Sequence, residues 1–503
     1  MTVHLSRIGF LCVLLSLFIQ LPAQSCPDCR FASYVFDSVD VSTVKFGEGP
    51  NADGNLQELF MEVYEPHGDT AALRPVVVFA FGGGFIQGSR DQDYMIKACK
   101  RFARAGYVAY SIDYRIGFDP LGLFPVPTEE LMRTFFRAMQ DMRGAVQYTR
   151  HHVANMGNTY RMDTNQIFVG GVSAGAITAC LTAYCDKASE FAEIGDLDAI
   201  SGLGGFNSSS GLYPNESWES HGVVNVAGAI VNVNWIEPGD PPIISAHGDE
   251  DLIVPYAGGN FGIGPISIGL EGSYNIDQAA ASRGICSYLY TLDGQGHPVG
   301  DEPEEWYDEI YNRAMPRAWG VVQGLSFCCS HEVEVIHDQL QVTRGDQVEL
   351  EATLSMASND VILKWCDIYD HGDGCGNPFS YAPDSLPTYA LAMAVDNGCV
   401  ATDFVTITEM PVGRPEAELE EGFSFAPNPV EDALRVAWHG NGPAPNQLTL
   451  RDLSGKVIRT WDWPVLSSIA LPMEEIPNGL YLLEVERKGI RYQKRLLHLT
   501  QKP

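Results

Sequence analysis

From about Cys26 to Phe327 the chain alternates short runs, mostly rich in β-branched or aromatic residues, with longer stretches of helical period. The runs are "RPVVVFAF", "YVAYSIDY", "NQIFVGGVSAG", "VVNVAGAIVNV", "PPIISAHGD" and "SYLYTLDGQGH". Stretches such as "DYMIKACKRFARAG" and "LMRTFFRAMQDMRGAVQYTRHHVANMG" lie between them and carry a helical pattern. Strand, helix, strand in alternation is the grammar of a mainly parallel sheet with crossover helices, so the expected class is α/β. The Gly/Ser-rich segment "SGLGGFNSSSGLYPNES" interrupts the pattern. It lacks the Lys-Ser/Thr ending of a phosphate loop and reads as a surface excursion near the site.

After "CCS" at 328–330 the grammar changes, and from His331 to about Met410 there is no helical pattern. "LQVTRGDQVELEATL", "DVILKWCDI", "TYALAMAV" and "CVATDFVTITEM" read as strands between turns, which predicts a small β-sandwich. "RGDQVELEA", Trp365 and "PTYALAMAVDNGCVATDFVTIT" resemble the Ig-like or PKD-like modules of secreted bacterial proteins. The acidic stretch "DIYDHGDGCGN" offers Asp367, Asp370 and Asp373, but their spacing does not fit an EF-hand, so a solvated loop is expected there. A charged linker, "VGRPEAELEEG", follows. The remaining residues closely resemble the C-terminal sorting domain of the type IX secretion system of Bacteroidetes. The matching marks are Pro427-Asn428-Pro429, Asp452-Leu453-Ser454-Gly455-Lys456, Asn478-Gly479-Leu480-Tyr481 and the basic end with Lys494 and Arg495. That resemblance implies the secretion machinery as a partner, with release or surface attachment as the outcome.

The chain's 503 residues exceed one ordinary core, so several domains are expected. The formal net charge is −32, which repels phosphate backbones and argues against nucleic-acid binding. Residues 1–25 combine Arg7, the apolar stretch Ile8 to Leu21 and a small-residue exit, the pattern of a cleaved signal peptide. No later segment is long and apolar enough to span a membrane, so no transmembrane segment is expected in the mature chain. Cys12 leaves with the leader, and the remaining 11 cysteines of the 12 are mostly disulfide candidates in an exported chain. An odd count leaves at least one free or paired between chains. "CPDC" at 26–29 has no βαβ context, so a structural bridge is its expected use.

The chemistry concentrates in "VGGVSAGAITAC". Gly171-Val172-Ser173-Ala174-Gly175 is a G-x-S-x-G between a strand run and a small-residue helix, the setting of a nucleophile elbow. Ser173 must stand on a sharp turn so that its hydroxyl clears the sheet. The flanking glycines are small because backbones pack closely there, and the following helix offers N–H groups to developing negative charge. A serine hydroxyl needs a base, and the order in such folds is serine, acid, histidine. "SAHGDEDLIVPY" supplies Asp249 and Asp251 at the end of a strand run, and "LDGQGHPVG" supplies His297 behind two glycines. Singly, a buried serine at a helix start or a solvated loop histidine explains each piece. Together, in order and at strand ends, they point to nucleophilic catalysis.

From about Arg74 to His297 these phrases resemble the α/β-hydrolase superfamily on its carboxylesterase and lipase side: "FGGGFIQGS", "YVAYSIDYRIG", "DMRGAVQYTRHHVANMG", "GGVSAGAITA", "HGDEDLIVPY" and "GQGH". The resemblance implies Ser173 as nucleophile, His297 as general base and Asp251, not Asp249, as the acid. It also gives the run Gly82-Gly83-Gly84 a purpose: Gly83 and Gly84, with Ala174, become the oxyanion donors. Phe81, where many relatives carry histidine, fits cholinesterase-like members, whereas Val172 before the serine and an aspartate acid depart from them.

The expected protein is a secreted serine esterase working through an acyl-enzyme, acting on a small or polymeric ester, without metal or organic cofactor. The alternatives are a peptidase of the same fold or a catalytically silent, esterase-like adhesion protein. The expected divisions are a leader at 1–25, a hydrolase domain at 26–327, a β-sandwich at 328–412, a linker at 413–421 and a sorting domain at 422–503.

Overall fold

The computed structural model describes residues 29–117, 127–261, 268–298, 304–329, most of 332–409, and strands between 423 and 498. The leader, Cys26, Asp370, the linker and the Pro427–Pro429 mark lie outside the described residues. Two units divide the chain, Met1–Glu409 and Met410–Pro503.

In the first unit the elements run β1 (Val39–Pro50), β2 (Leu56–Pro66), β3 (Arg74–Ala80), α1 (Asp93–Ala105), β4 (Val108–Ile112), α2 (Thr128–Asn155), β5 (Met162–Val172) and α3 (Ala174–Tyr184). They continue with α4 (Ala188–Phe191), β6 (Gly222–Val226), β7 (Ala229–Ile230), β8 (Ile243–Gly248), β9 (Gly258–Asn260), β10 (Gly269–Gly272), α5 (Ser273–Ser282), β11 (Ser287–Leu292) and α6 (Glu304–Val322). The main sheet has the order β1-β2-β4-β3-β5-β6-β8-β11. From β4 to β11 every pairing is parallel. β3, β4, β6 and β8 are buried at every position, which explains their continuous apolar runs: helices cover both faces. The β1–β2 hairpin joins antiparallel at one edge.

The order of the central strands positions the site. β3 pairs with β4 on one side and β5 on the other, so the chain reverses its direction of growth between β4 and β5. A crevice opens at such a switch point, beyond the carboxyl ends of the strands. The glycine run leaves β3 there, and Ser173 leaves β5 beside it, with Ala80 paired to Gly171. The run "VVNVAGAIVNV" is not one strand. β6 stops at Val226, Ala227 turns at φ 50°, and β7 joins a separate small sheet with β10 and β9.

The excursion after Ser201 packs along α2 and β1. Gln140 and Arg143 donate to the carbonyls of Leu203 and Phe206, Gln147 donates to that of Glu216, and the Ser210 carbonyl accepts from the Glu48 amide. Those contacts fix it against α2 and β1.

The strands after Phe327 include a five-stranded sheet of Gln339–Val342, Val400–Glu409, Thr388–Val395, Ile362–Asp367 and Asp373–Cys375. Its two faces serve different cores. Trp365, Ala392 and Ile407 pack with Val348 and Leu350 in a core of their own. Cys366, Leu391, Met393 and Phe404 point the other way and belong to the core of the large parallel sheet and its helices. Cys29 bridges to Cys366, and the Tyr34 amide donates to the Ile368 carbonyl at 2.9 Å. Cys286–Cys328 and Cys329–Cys399 add further bridges, and Cys375 is also disulfide-bonded. Cys99, Cys180 and Cys185 are free and buried. Asp367 is no solvated loop residue: it is buried, and its carboxylate accepts from the Tyr381 and Thr388 hydroxyls.

The second unit contains a three-stranded sheet (Phe423–Ala426, Ala433–Trp438, Ser468–Pro472) and a four-stranded sheet (Val457–Asp462, Gln447–Arg451, Gly479–Arg487, Ile490–His498). Leu434, Val436, Leu448, Leu450, Leu471 and Leu483 fill its core. Among the described residues of both units, no helix is long and apolar enough to cross a membrane.

Candidate active site

Ser173 occupies the turn between β5 and α3 with φ 56° and ψ −120°, a backbone conformation that L residues adopt only when their surroundings impose it. Its amide is held by the Val226 carbonyl at 2.8 Å, and its carbonyl accepts from Ile177 at 2.9 Å. The G-x-S-x-G spacing follows from contact distances. A β-carbon at position 175 would lie 2.0 Å from the Ala80 carbonyl oxygen, so strand and helix approach closely only over glycine.

The glycine run passes directly beside the serine. A β-carbon at Gly82 would sit 3.3 Å from Ser173 Cβ. The Gly82 amide is committed to the Tyr94 hydroxyl at 2.8 Å. Beyond it the backbone turns through three left-handed residues, Gly83 (φ 120°), Gly84 (φ 62°) and Phe85 (φ 63°). Gly83 is required twice over: its φ excludes side chains, and an added β-carbon would meet the Gln87 carbonyl oxygen at 2.0 Å. The Gly83 carbonyl is taken by the Ile86 and Gln87 amides. Among the described residues, the N–H groups of Gly83, Gly84 and Ala174 have no protein acceptor. Phe81 stacks on Tyr114 at 4.3 Å, and the Tyr114 hydroxyl donates to the Phe81 carbonyl at 2.8 Å. The aromatic residue where many relatives carry histidine thus pins the root of the loop by stacking.

His297 brings the rest together. Its Nε2 lies 2.8 Å from Ser173 Oγ and its Nδ1 2.5 Å from Asp251 Oδ2. An ionised carboxylate only accepts, so Nδ1 carries the proton and Nε2 is free to accept from the serine hydroxyl. Burial alone raises the Asp251 carboxyl's pKa, but hydrogen bonds from His247, His297 and the Ile253 amide reverse this and hold it well below the usual carboxylate range. Asp249 is exposed and faces elsewhere: its Oδ1 accepts from the Gly294 amide at 2.6 Å, tethering the loop that carries His297.

One residue of this cluster was not singled out from sequence. His247, in β8, is fully buried, and its Nε2 lies 3.1 Å from Asp251 Oδ2. The phrase "AHGDED" placed it four residues before Asp251, but at a buried strand position it reads as core.

The arrangement predicts a test of the glycine loop. Gly84→Ala is expected to lower kcat by about two to three orders of magnitude with little change in KM, because tilting one donor away from a developing oxyanion costs about 3–4 kcal/mol. Steady-state kinetics on one activated ester decide it; a rise in KM alone makes these glycines mere space for substrate.

Residues 61–201 match the family described as BD-FAE, and residues 424–498 match the secretion system C-terminal sorting domain. Gut esterase 1 of Caenorhabditis elegans is 31% identical over 102 residues, covering 20% of this chain and 17% of the relative. The matched segment thus spans about a sixth of that relative's length. A thermophilic esterase of Thermogutta terrifontis, Est2, is 21% identical, covers 53% of this chain and 90% of its own, and superposes with a TM-score of 0.37. Brefeldin A esterase, a bacterial homologue of human hormone-sensitive lipase, is 17% identical over 57% of this chain and 75% of its own, with a TM-score of 0.34. The sorting domain marks the chain as secreted or held at the cell surface. Residues 61–201 are thus similar to the BD-FAE family, and towards its end the chain carries a secretion system C-terminal sorting domain.

Proposed function

We propose that this protein is a secreted serine carboxylic ester hydrolase. The observation that carries the reading is the hydrogen-bonded line from Asp251 through His297 to Ser173, beside a turn of unengaged backbone N–H groups. In this mechanism His297 Nε2 takes the Ser173 proton as Oγ attacks the ester carbonyl. The N–H groups of Gly83, Gly84 and Ala174 stabilise the resulting oxyanion. His297 then gives its proton to the leaving alkoxide, and the alcohol departs from an acyl-serine. A water molecule, deprotonated by His297, attacks the acyl group, and the proton returns to Ser173 as the acid leaves. Asp251 keeps the imidazole in the competent tautomer throughout. The similarity to gut esterase 1 supports an ester as substrate. A panel of short acyl, feruloyl, acetylated-polysaccharide and polyester substrates identifies the preferred class; no turnover of any ester by the intact protein overturns the reading.

We also propose that the sorting domain acts in export alone, in line with its separate unit from Met410 onward. Removing residues 423–503 is expected to leave ester turnover unchanged while the protein accumulates in the periplasm. Activity measured in medium and periplasmic fractions of a type IX-competent host checks this, and normal release of the truncated chain counts against it.

A further inference from the structure

Asp251 serves two histidines, and the mechanism above uses only one. The second, His247, has no access to solvent, so it neither meets substrate nor exchanges protons with water. Its Nε2 faces two acceptors, Asp251 Oδ2 and the Val254 carbonyl, each at 3.1 Å, so that nitrogen carries a proton. Its Nδ1 lies 2.7 Å from the hydroxyl of Ser273, the first residue of α5. The Asn225 amide donates to that hydroxyl at 2.9 Å and to the Ser245 hydroxyl at 3.0 Å. All of these side chains are buried, and they tie β6, β8 and α5 to one imidazole.

The carboxylate needs such a hold. An aspartate's terminal torsion is broad, so burial by itself does not choose which oxygen faces His297 or at what tilt. Here Oδ1 accepts from the Ile253 and Val254 amides at 2.8 and 3.0 Å, while Oδ2 accepts from His247 and His297. A carboxylate has about four acceptor sites, and four donors fill them. Two of the donors are backbone and one is the base itself. His247 is the remaining one, and it grips the same oxygen that orients the base.

We propose that His247 is a positioning residue that locks the Asp251 carboxylate and, through it, the imidazole of His297. The proposal rests on the reading of Ser173, His297 and Asp251 as the catalytic relay. Its test uses the full-length protein with His247→Leu, which removes the donor at similar volume, and His247→Gln, which keeps an N–H near the Nε2 position. His247→Leu is expected to lose about 10–100-fold in kcat with KM nearly unchanged, the scale known for partners that orient metal-bound histidines. His247→Gln is expected to recover most of that loss. Proton NMR of histidine-labelled wild type should show two downfield imidazole N–H resonances, from His247 Nε2 and His297 Nδ1. Either substitution should remove the first and displace the second. Equal losses in both variants that track a fall in Tm, with the second resonance unmoved, overturn the proposal and leave His247 as packing. Wild-type turnover in both variants overturns it as well. Failure of a fluorophosphonate to label wild-type Ser173 overturns the serine reading instead, and the NMR comparison still decides whether His247 holds Asp251.

Discussion

Ser173→Ala is expected to lower ester turnover by about a millionfold, the scale seen when a serine hydrolase loses its nucleophile. Among the described residues nothing nearby replaces it. His297, whose Nε2 faces the Ser173 hydroxyl, has its other nitrogen committed to Asp251. The three free cysteines are buried, and burial raises their thiol pKa values, to about 12 for Cys180, so none supplies a thiolate. The substitution removes one oxygen from a nearly buried side chain and leaves the backbone bonds of the turn in place, so the protein should fold normally. Fluorophosphonate labelling followed by peptide mapping checks the claim. Labelling that survives in Ser173→Ala assigns the chemistry to another serine.

The second large effect belongs to Asp251→Asn, with an expected loss of about 10⁴-fold in kcat from removal of the orienting carboxylate. The surroundings explain why an amide cannot substitute. Both oxygens of Asp251 are met by donors, the two histidines on one and two backbone amides on the other. Whichever way the asparagine turns, its NH₂ faces donors. If it faces His297, the imidazole must move its proton to Nε2, where it can no longer accept from Ser173. Asp249→Asn should cost far less, because the asparagine oxygen still accepts from the Gly294 amide. Steady-state kinetics of both variants on the same ester rank them, and the reverse order moves the acid role to Asp249.

That Ser173, Asp251 and His297 meet was legible because each stands where a strand ends and in the order this fold requires. The choice of Asp251 over Asp249 was not a matter of spacing, since the two lie one residue apart; it came from family resemblance. The geometry distinguishes them by direction, inward to the histidines or outward to Gly294. His247 stayed hidden because a buried histidine in an apolar strand carries no local mark; its partners come from β6 and α5. The β-rich segment after Phe327 was legible as strands. The period of two told which residues share a face, but not that Cys366 and Leu391 face the core of the large parallel sheet. Disulfide pairing was likewise beyond reach, because cysteine positions alone permit many connectivities.

The bridge between Cys29 and Cys366 closes a covalent ring across a sequence separation of 337. Every element that carries Ser173, Asp251, His297 or the glycine turn lies inside that ring. A protease that cuts the backbone once within it therefore releases nothing: the two pieces remain one molecule until the disulfide is reduced. Outside the cell, where the sorting domain directs the chain, a nick within this ring becomes a change of connectivity and not a loss of parts.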